Sequence, residues 1–334
     1  MIDWKPIHNK ILQAGSILLS THENPDGDGL GCSAAMFHYF KSLGKDVRII
    51  QVSALPEEYQ FLDKGNMFEQ YNPEGHDPWL KRVDLALIFD VGDFRRLRLI
   101  GNTLVKSKVP IINIDHHPDL GDIRFIENVI DTQAAATGEM LYDYIQSIGV
   151  TPTKDMFEGI YTAVLTDTGS FRYNNTNVKC HEIAIACIEA GVNTSKVYQH
   201  VYETRSRSRV RLLGKVLDNL HFEHGGELAW FIIDQNLLKE AGASREDVNG
   251  FTDFVRTIRG VEVALMLFER DPVSCRINLR SKGKYVINDT AKAFGGGGHK
   301  FAAGAVVDKK LKDVLPDVLK QINRSMAKQN GQIQ

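Results

Sequence analysis

The chain has 334 residues, 43% hydrophobic and 25% charged, with a formal net charge of −2. That length suits two domains, and the near-neutral balance excludes a global field that would draw in nucleic acid or an anionic membrane, so any phosphate recognition has to be local. No apolar run approaches a membrane span, the N-terminal MIDWKPIHNK lacks a signal-peptide pattern, and the four cysteines form neither a CxxC pair nor a disulfide framework; together these predict a cytoplasmic protein with no membrane partner.

In chain order, the apolar runs SILLS (16–20), VRIIQVS (47–53), DLALIFDVG (84–92) and VPIINIDHH (109–117) read as buried strands, with helical patterns between several of them, for example 34–43. Further helices are expected at about 135–148 and in KDMFEGIYTAVLTD, which ends in Asp167. From 181 to 220 the chain looks helical and reads as a joint. Beyond it LAWFIID (228–234), VEVALMLFER (261–270) and SCRINLRS (274–281) look like strands of another domain, closed by an amphipathic C-terminal helix. The expected fold is α/β: a mostly parallel sheet flanked by helices, a helical linker, and a second, smaller α/β domain. The boundaries read as 1–185, 186–220 and 221–330.

In open parallel sheets, ligands bind beyond the carboxyl ends of the strands. Acidic and imidazole side chains gather there: His22, Asp26 and Asp28 after the first strand, Asp90 after the third, Asp115, His116 and His117 after the fourth, and Asp167 at a helix end. Asp and His after strands are often only turn or cap residues, and Asp84 and Asp93 are read that way. His38, His181, His200, His221 and His224 are read as structural or exposed. For His22, Asp26, Asp28, Asp90, His116 and Asp167 together, that plainer reading fails. Two carboxylates about 4 Å apart repel by several kcal/mol, so four in one crevice must take up protons or bind cations. Two divalent ions would match four carboxylates, and mixed imidazole and carboxylate donors suit Mn²⁺ better than Mg²⁺. Such a pair could activate water for attack at phosphorus. His117 need not be a ligand; it could bind a substrate phosphate or protonate a leaving oxygen.

The stretch AKAFGGGGHKFAAG (291–304) is the least accidental in the chain, since four glycines and a histidine arise by composition in roughly one such chain per two thousand. Gly295, Gly296, Gly297 and Gly298 would let backbone N–H groups approach an anion, and His299 would add a side-chain contact. A flexible loop is the competing reading. Arg280 and Ser281 in NLRS sit at a strand end, where Arg280 can grip a phosphate or stack on a base. The alternating Arg205, Arg207, Arg209 and Arg211 cannot share one helical face and read mostly as solvated linker charge.

With these motifs quoted, the chain resembles the DHH phosphoesterase superfamily over nearly its whole length. HENPDGD, ALIFDVGD, DHH at 115–117 and TDTGSF look like its four motifs, and NLRS with FGGGGHKFAAG looks like the associated C-terminal substrate domain. Within it the chain is similar to the nanoRNase / pAp phosphatase branch, which degrades short RNA oligonucleotides to mononucleotides and, in many members, converts 3′-phosphoadenosine 5′-phosphate (pAp) to AMP. The resemblance implies two Mn²⁺, with Mg²⁺ or Co²⁺ as substitutes. His22, Asp26 and Asp90 would hold one. Asp28, Asp90, His116 and Asp167 would hold the other, with Asp90 bridging and Asp115 orienting His116. His117, Arg280, Ser281, Gly295–Gly298 and His299 would hold substrate in a cleft between the domains. The expected partners are short single-stranded RNA and pAp; no obligate protein partner is implied, and a homodimer is compatible with the sequence. Rival readings are a manganese pyrophosphatase, a phosphodiesterase of linear or cyclic dinucleotides, a RecJ-like DNA exonuclease, and a nucleotide-binding regulator with a silent site.

Overall fold

A computed structural model describes residues 2–118, 121 and 124–331. Its chain divides into two units, Met1–Thr204 and Arg205–Gln334.

The first unit runs α1 (Lys5–Gln13), β1 (Ser16–Ser20), α2 (Gly27–Ser42), β2 (Asp46–Gln51), β3 (Phe68–Gln70), α3 (Pro73–Leu80), β4 (Leu85–Phe89), α4 (Arg98–Lys106), β5 (Ile111–Asp115), β6 (Glu127–Ile130), α5 (Thr137–Ser147), α6 (Lys154–Asp167), α7 (Val178–Glu189) and α8 (Thr194–Tyr202). Its strands pair in parallel in the order β3-β2-β1-β4-β5-β6. The apolar runs are unbroken because both faces are covered. Ile17, Leu19, Val47, Leu87 and Ile114 pack with residues of α2, α5 and α6, whereas Leu18, Ile50, Ala86 and Ile88 pack with Trp79, Leu80, Ile100 and Leu104 from α3 and α4. Strand order reverses direction between β1 and β4. That is the switch point at which a doubly wound sheet opens a crevice.

Two boundaries differ from expectation in ways that bear on the site. Helix α2 begins at Gly27 rather than at 34, so Asp28 lies in its first turn. Its small residues made that turn look like loop, but burial against α6 stabilises it as helix. Helix α5 begins at Thr137 rather than at 135, with Ala134 and Ala135 in a bend and Ala136 in extended backbone just before it. The short strands β3 and β6 carried too few apolar residues to show a pattern.

The second unit comprises α9 (Arg207–Asp218), β7 (His221–Glu223), β8 (Leu228–Ile233), α10 (Gln235–Ala241), α11 (Phe251–Arg256), β9 (Val263–Asp271), β10 (Ser274–Ser281), α12 (Asn288–Lys292), β11 (Gly297–His299), β12 (Ala302–Val307) and α13 (Leu311–Gln329). Its mixed sheet has the order β11-β12-β10-β9-β8-β7. One face buries Leu265, Leu267, Ile277 and Leu279 against Val314, Val318, Ile322 and Met326, an i, i+4 ladder on α13. The other packs Phe231, Ala264 and Met266 with Leu212, Leu238, Phe251 and Val255 from α9, α10 and α11. Arg209 is not solvated linker charge. Its guanidinium donates to the carbonyls of Asp247 and Asn249 and lies 4.8 Å from the Phe251 ring centroid, tying α9 to the loop before α11. Among the described residues, no helix is long and apolar enough to cross a membrane, and Cys32, Cys180, Cys187 and Cys275 are all buried and unpaired.

Candidate active site

The side chains singled out in the first unit converge at the carboxyl ends of β1, β4 and β5. Three groups of potential ligand atoms, each lying within 4.8 Å of one another, overlap there: His22 with Asp26 and Asp90; Asp28 with His116 and Asp167; and Asp90 with His116 and His117.

His22 follows β1. Its Nε2 lies 3.7 Å from Asp26 Oδ2 and 3.6 Å from Asp90 Oδ2, and its Nδ1 lies 2.7 Å from Glu23 O. Asp26 is both a cap and a member of the cluster: Oδ1 accepts the Asp28 N–H at the start of α2 while Oδ2 faces His22. Burial opposes a charge on His22, but Asp26 and Asp90 outweigh it and raise its pKa to about 9. The proton on Nε2 then sits between two carboxylates, where a cation could replace it.

Asp90 follows β4 with φ +53°, a left-handed conformation that a non-glycine residue adopts at a cost of about 1–3 kcal/mol. It is buried, and its two oxygens face different neighbours: Oδ2 faces His22, and Oδ1 lies 3.6 Å from His116 Nε2. His116 Nε2 also lies 3.1 Å from Asp167 Oδ2 and 3.8 Å from Asp28 Oδ2. Asp28 accepts the Thr137 and Gly138 N–H groups at 2.6 and 2.8 Å, so the N-terminus of α5 supports its charge. Burial, then the charges of Asp90, Asp167 and Asp26, nevertheless push the Asp28 pKa well up. Burial followed by Asp90 and Asp26 does the same to Asp167.

Asp115 does not orient His116. Its Oδ1 accepts from His117 Nδ1 and from the His117 N–H, both at 2.9 Å, and its Oδ2 accepts the Gly92 N–H at 2.6 Å. A carboxylate at the strand end reaches the second following residue as an Asx turn more readily than the first. His116 is steered by a backbone carbonyl instead, with Nδ1 3.3 Å from Ala134 O. His117 Nδ1 also lies 3.2 Å from Asp90 Oδ1. Burial disfavours the charged ring, but Asp115 and Asp90 outweigh it and raise its pKa to about 11.

The donor set fits divalent cations. Asp90 Oδ1 and His116 Nε2 are buried without a hydrogen bond of good geometry, and each points at the other members of the cluster. Buried polar atoms left in that state demand a partner. Carboxylates held together against their own repulsion likewise demand positive charge.

In the second unit, the second half of the glycine run, Gly297 and Gly298, belongs to β11, and Gly295 and Gly296 lead into it. A Cβ on Gly296 would come 2.1 Å from Gly304 O, and one on Gly298 would come 2.5 Å from Ala302 O, so these two glycines permit close pairing of β11 with β12. Gly295 has φ +76°, and a Cβ on Gly297 would meet nothing within 4 Å. Gly297 pairs with Gly304 and His299 with Ala302, next to Asn278 and Arg280 on β10. Small residues thus form a floor bordered by Asn278, Arg280 and the exposed His299. The Arg280 Nε donates to Asp253 Oδ2 at 3.2 Å, which fixes the guanidinium. Ser281 is buried, and its Oγ accepts the Gly283 N–H at 3.1 Å.

An α/β crevice at a strand switch point, lined by carboxylates and imidazoles of which His22, Asp28 and Asp90 are buried, has the donors of a site that could hold metal ions. Two family models match this chain, "DHH family, N-terminal domain" over residues 16–166 and "DHHA1 domain" over 214–328. The Thermus thermophilus protein named "Bifunctional oligoribonuclease and PAP phosphatase NrnA" is 31% identical over 319 residues, covering 93% of this chain and 91% of its own. The Bacillus subtilis protein of the same name is 26% identical over 298 residues, covering 87% and 89%. A solved exopolyphosphatase-related protein from Bacteroides fragilis superposes with a TM-score of 0.89 at 26% identity, covering 97% of this chain and 95% of that one. The chain belongs to the DHH family of phosphoesterases. It is a hydrolytic, metal-dependent enzyme.

Three contributors were not read from the sequence. Arg96 Nη2 lies 2.7 Å from His22 Nδ1, beside the crevice. The Thr137 and Gly138 amides hold Asp28, and Asn175 Nδ2 donates to Ala135 O and Asp167 O. The first of these has no local signal. For the amides there was one: ATGE opens a helix, and a helix N-terminus binds anions.

Proposed function

We propose that this enzyme hydrolyses short RNA oligonucleotides to mononucleotides and removes the 3′-phosphate of pAp to give AMP. The observation that carries this reading is the pairing of the buried carboxylate–imidazole cluster with near-full-length similarity to proteins named for those two activities.

His22, Asp26 and Asp90 would hold one cation, and Asp28, Asp90, His116 and Asp167 the other, with the two Asp90 oxygens turned toward the two groups. The mixed nitrogen and oxygen donors favour Mn²⁺. When bound, such a pair supplies Lewis acidity at the phosphoryl group and an activated water. The protein's own residues do the remainder. Asp115 fixes the His117 ring, whose positive charge holds a non-bridging phosphate oxygen or hands a proton to the leaving oxygen. In the second unit, Arg280 and His299 bind a terminal phosphate or base, over a floor where Gly297 leaves room for backbone contact. Ser281 contributes through its strand-end position, because its hydroxyl is engaged by Gly283. A cytoplasmic location belongs to the same reading, supported by the four unpaired cysteines.

Incubation with Mn²⁺ and pAp, pyrophosphate, or RNA and DNA of graded length, followed by product identification, tests the reading. AMP from pAp and mononucleotides from the shortest RNAs are expected. Release of phosphate from pyrophosphate alone, or cleavage confined to long DNA, would refute it.

A further inference from the structure

The stretch 131–138 lends the cluster its backbone. The Asp131 N–H donates to Asp115 O at 3.1 Å, which anchors the stretch at the end of β5. Further along, Ala134 O faces His116 Nδ1 at 3.3 Å, and the Thr137 and Gly138 N–H groups reach Asp28. Two of the three residues in the Asp28, His116 and Asp167 group are therefore aimed by one strap. The third, Asp167, belongs to another element, α6.

Asn175 joins the two. After Asp167 the chain passes through Gly169, Ser170 and Phe171, with φ of +55°, +64° and +60°, a reversal that two non-glycine residues adopt only where the surroundings impose it. The reversal brings Asn175 back against the end of α6. Its Nδ2 carries two N–H groups, donated to Ala135 O at 2.9 Å and to Asp167 O at 3.1 Å. The other group has separate supports, since His22 Nδ1 lies against Glu23 O and Arg96, and Asp26 caps its own helix.

We propose that Asn175 is a positioning residue that sets the affinity of the cation position bounded by Asp28, His116 and Asp167, by locking the strap to the backbone of Asp167. This rests on the two-cation reading above. Removal of groups that orient metal ligands typically weakens binding about 10–100-fold. Here the loss should fall on one position of two.

Mn²⁺ titration of the metal-free full chain, followed by calorimetry and electron paramagnetic resonance, tests it. The wild-type chain should take up two ions and show a spin-coupled spectrum. Asn175→Ala should keep the first step, weaken the second by about 10-fold or more, and show the coupled spectrum only at correspondingly higher Mn²⁺. Asn175→Asp, which keeps the size but presents an acceptor to both carbonyls, should show the same split. Two unchanged steps, equal weakening of both, or loss of the fold in both variants would overturn the assignment. A wild-type chain that takes up fewer than two ions would instead refute the two-cation reading itself, and this inference with it.

Discussion

Asp90 concentrates the chemistry into one side chain. It is buried, backbone-strained, and turned toward His22 with one oxygen and His116 with the other. Asp90→Asn keeps the volume and removes the charge both groups share. Partners of metal ligands already cost about 10–100-fold when removed, so this substitution should lower phosphate-ester turnover in Mn²⁺ by more than about 100-fold. Turnover within tenfold of wild type would remove Asp90 from a shared role. At this scale residue types were legible and pairings were not. His22, Asp26, Asp28, Asp90, His116 and Asp167 stand out because charged groups ending buried runs are costly without purpose. That Asp115 serves His117 rather than His116 follows from an Asx turn at the end of β5, whose position is set by where the strand stops.

At the scale of elements, two helices bring distant carboxylates together. Asp28 is in the first turn of α2, and Asp167 is the last residue of α6. The helices approach so closely that a Cβ on Gly31 would stand 2.2 Å from Gly159 O, and one on Gly159 would stand 2.4 Å from Gly31 O. Gly159→Ala must therefore push the helices apart. It should cost about 1–3 kcal/mol of stability, as overpacking does, and weaken Mn²⁺ binding although residue 159 is two helical turns from Asp167. Thermal unfolding and metal titration would check both. A wild-type melting temperature would mean the contact relaxes freely. Helix α6 was readable from its periodicity. The first turn of α2 was not, because GDGLG has the composition of a loop and becomes helix only against α6.

For the molecule as a whole, metal and pH should act on stability together. Without cations, Asp28 and Asp167 have pKa values raised by burial and mutual repulsion, and His22 is raised to about 9. Groups with raised folded-state values bind protons more tightly folded than unfolded. Their contribution is complete below the unfolded values, roughly pH 4 for the carboxylates, and is lost as pH rises through the folded ones. The chelator-treated protein should therefore lose melting temperature as pH increases from about 6 to 9, and saturating Mn²⁺ should abolish that slope. A melting temperature that rises with pH in chelator, or that ignores Mn²⁺, would contradict the cluster's electrostatics.

The sequence by itself determined the alternation of buried strands and helices, the sheet edge where charge accumulates, and the identity of the charged residues, because periodicity and residue chemistry are local properties. Only the tertiary structure decided which carboxylate faces which imidazole, that Gly296 and Gly298 admit a neighbouring backbone at and beside β11, and that the Thr137–Gly138 amides and Asn175 support the cluster. ATGE signals a helix start that can hold an anion, but which carboxylate it meets, like the other pairings, joins segments that only the folded chain brings together.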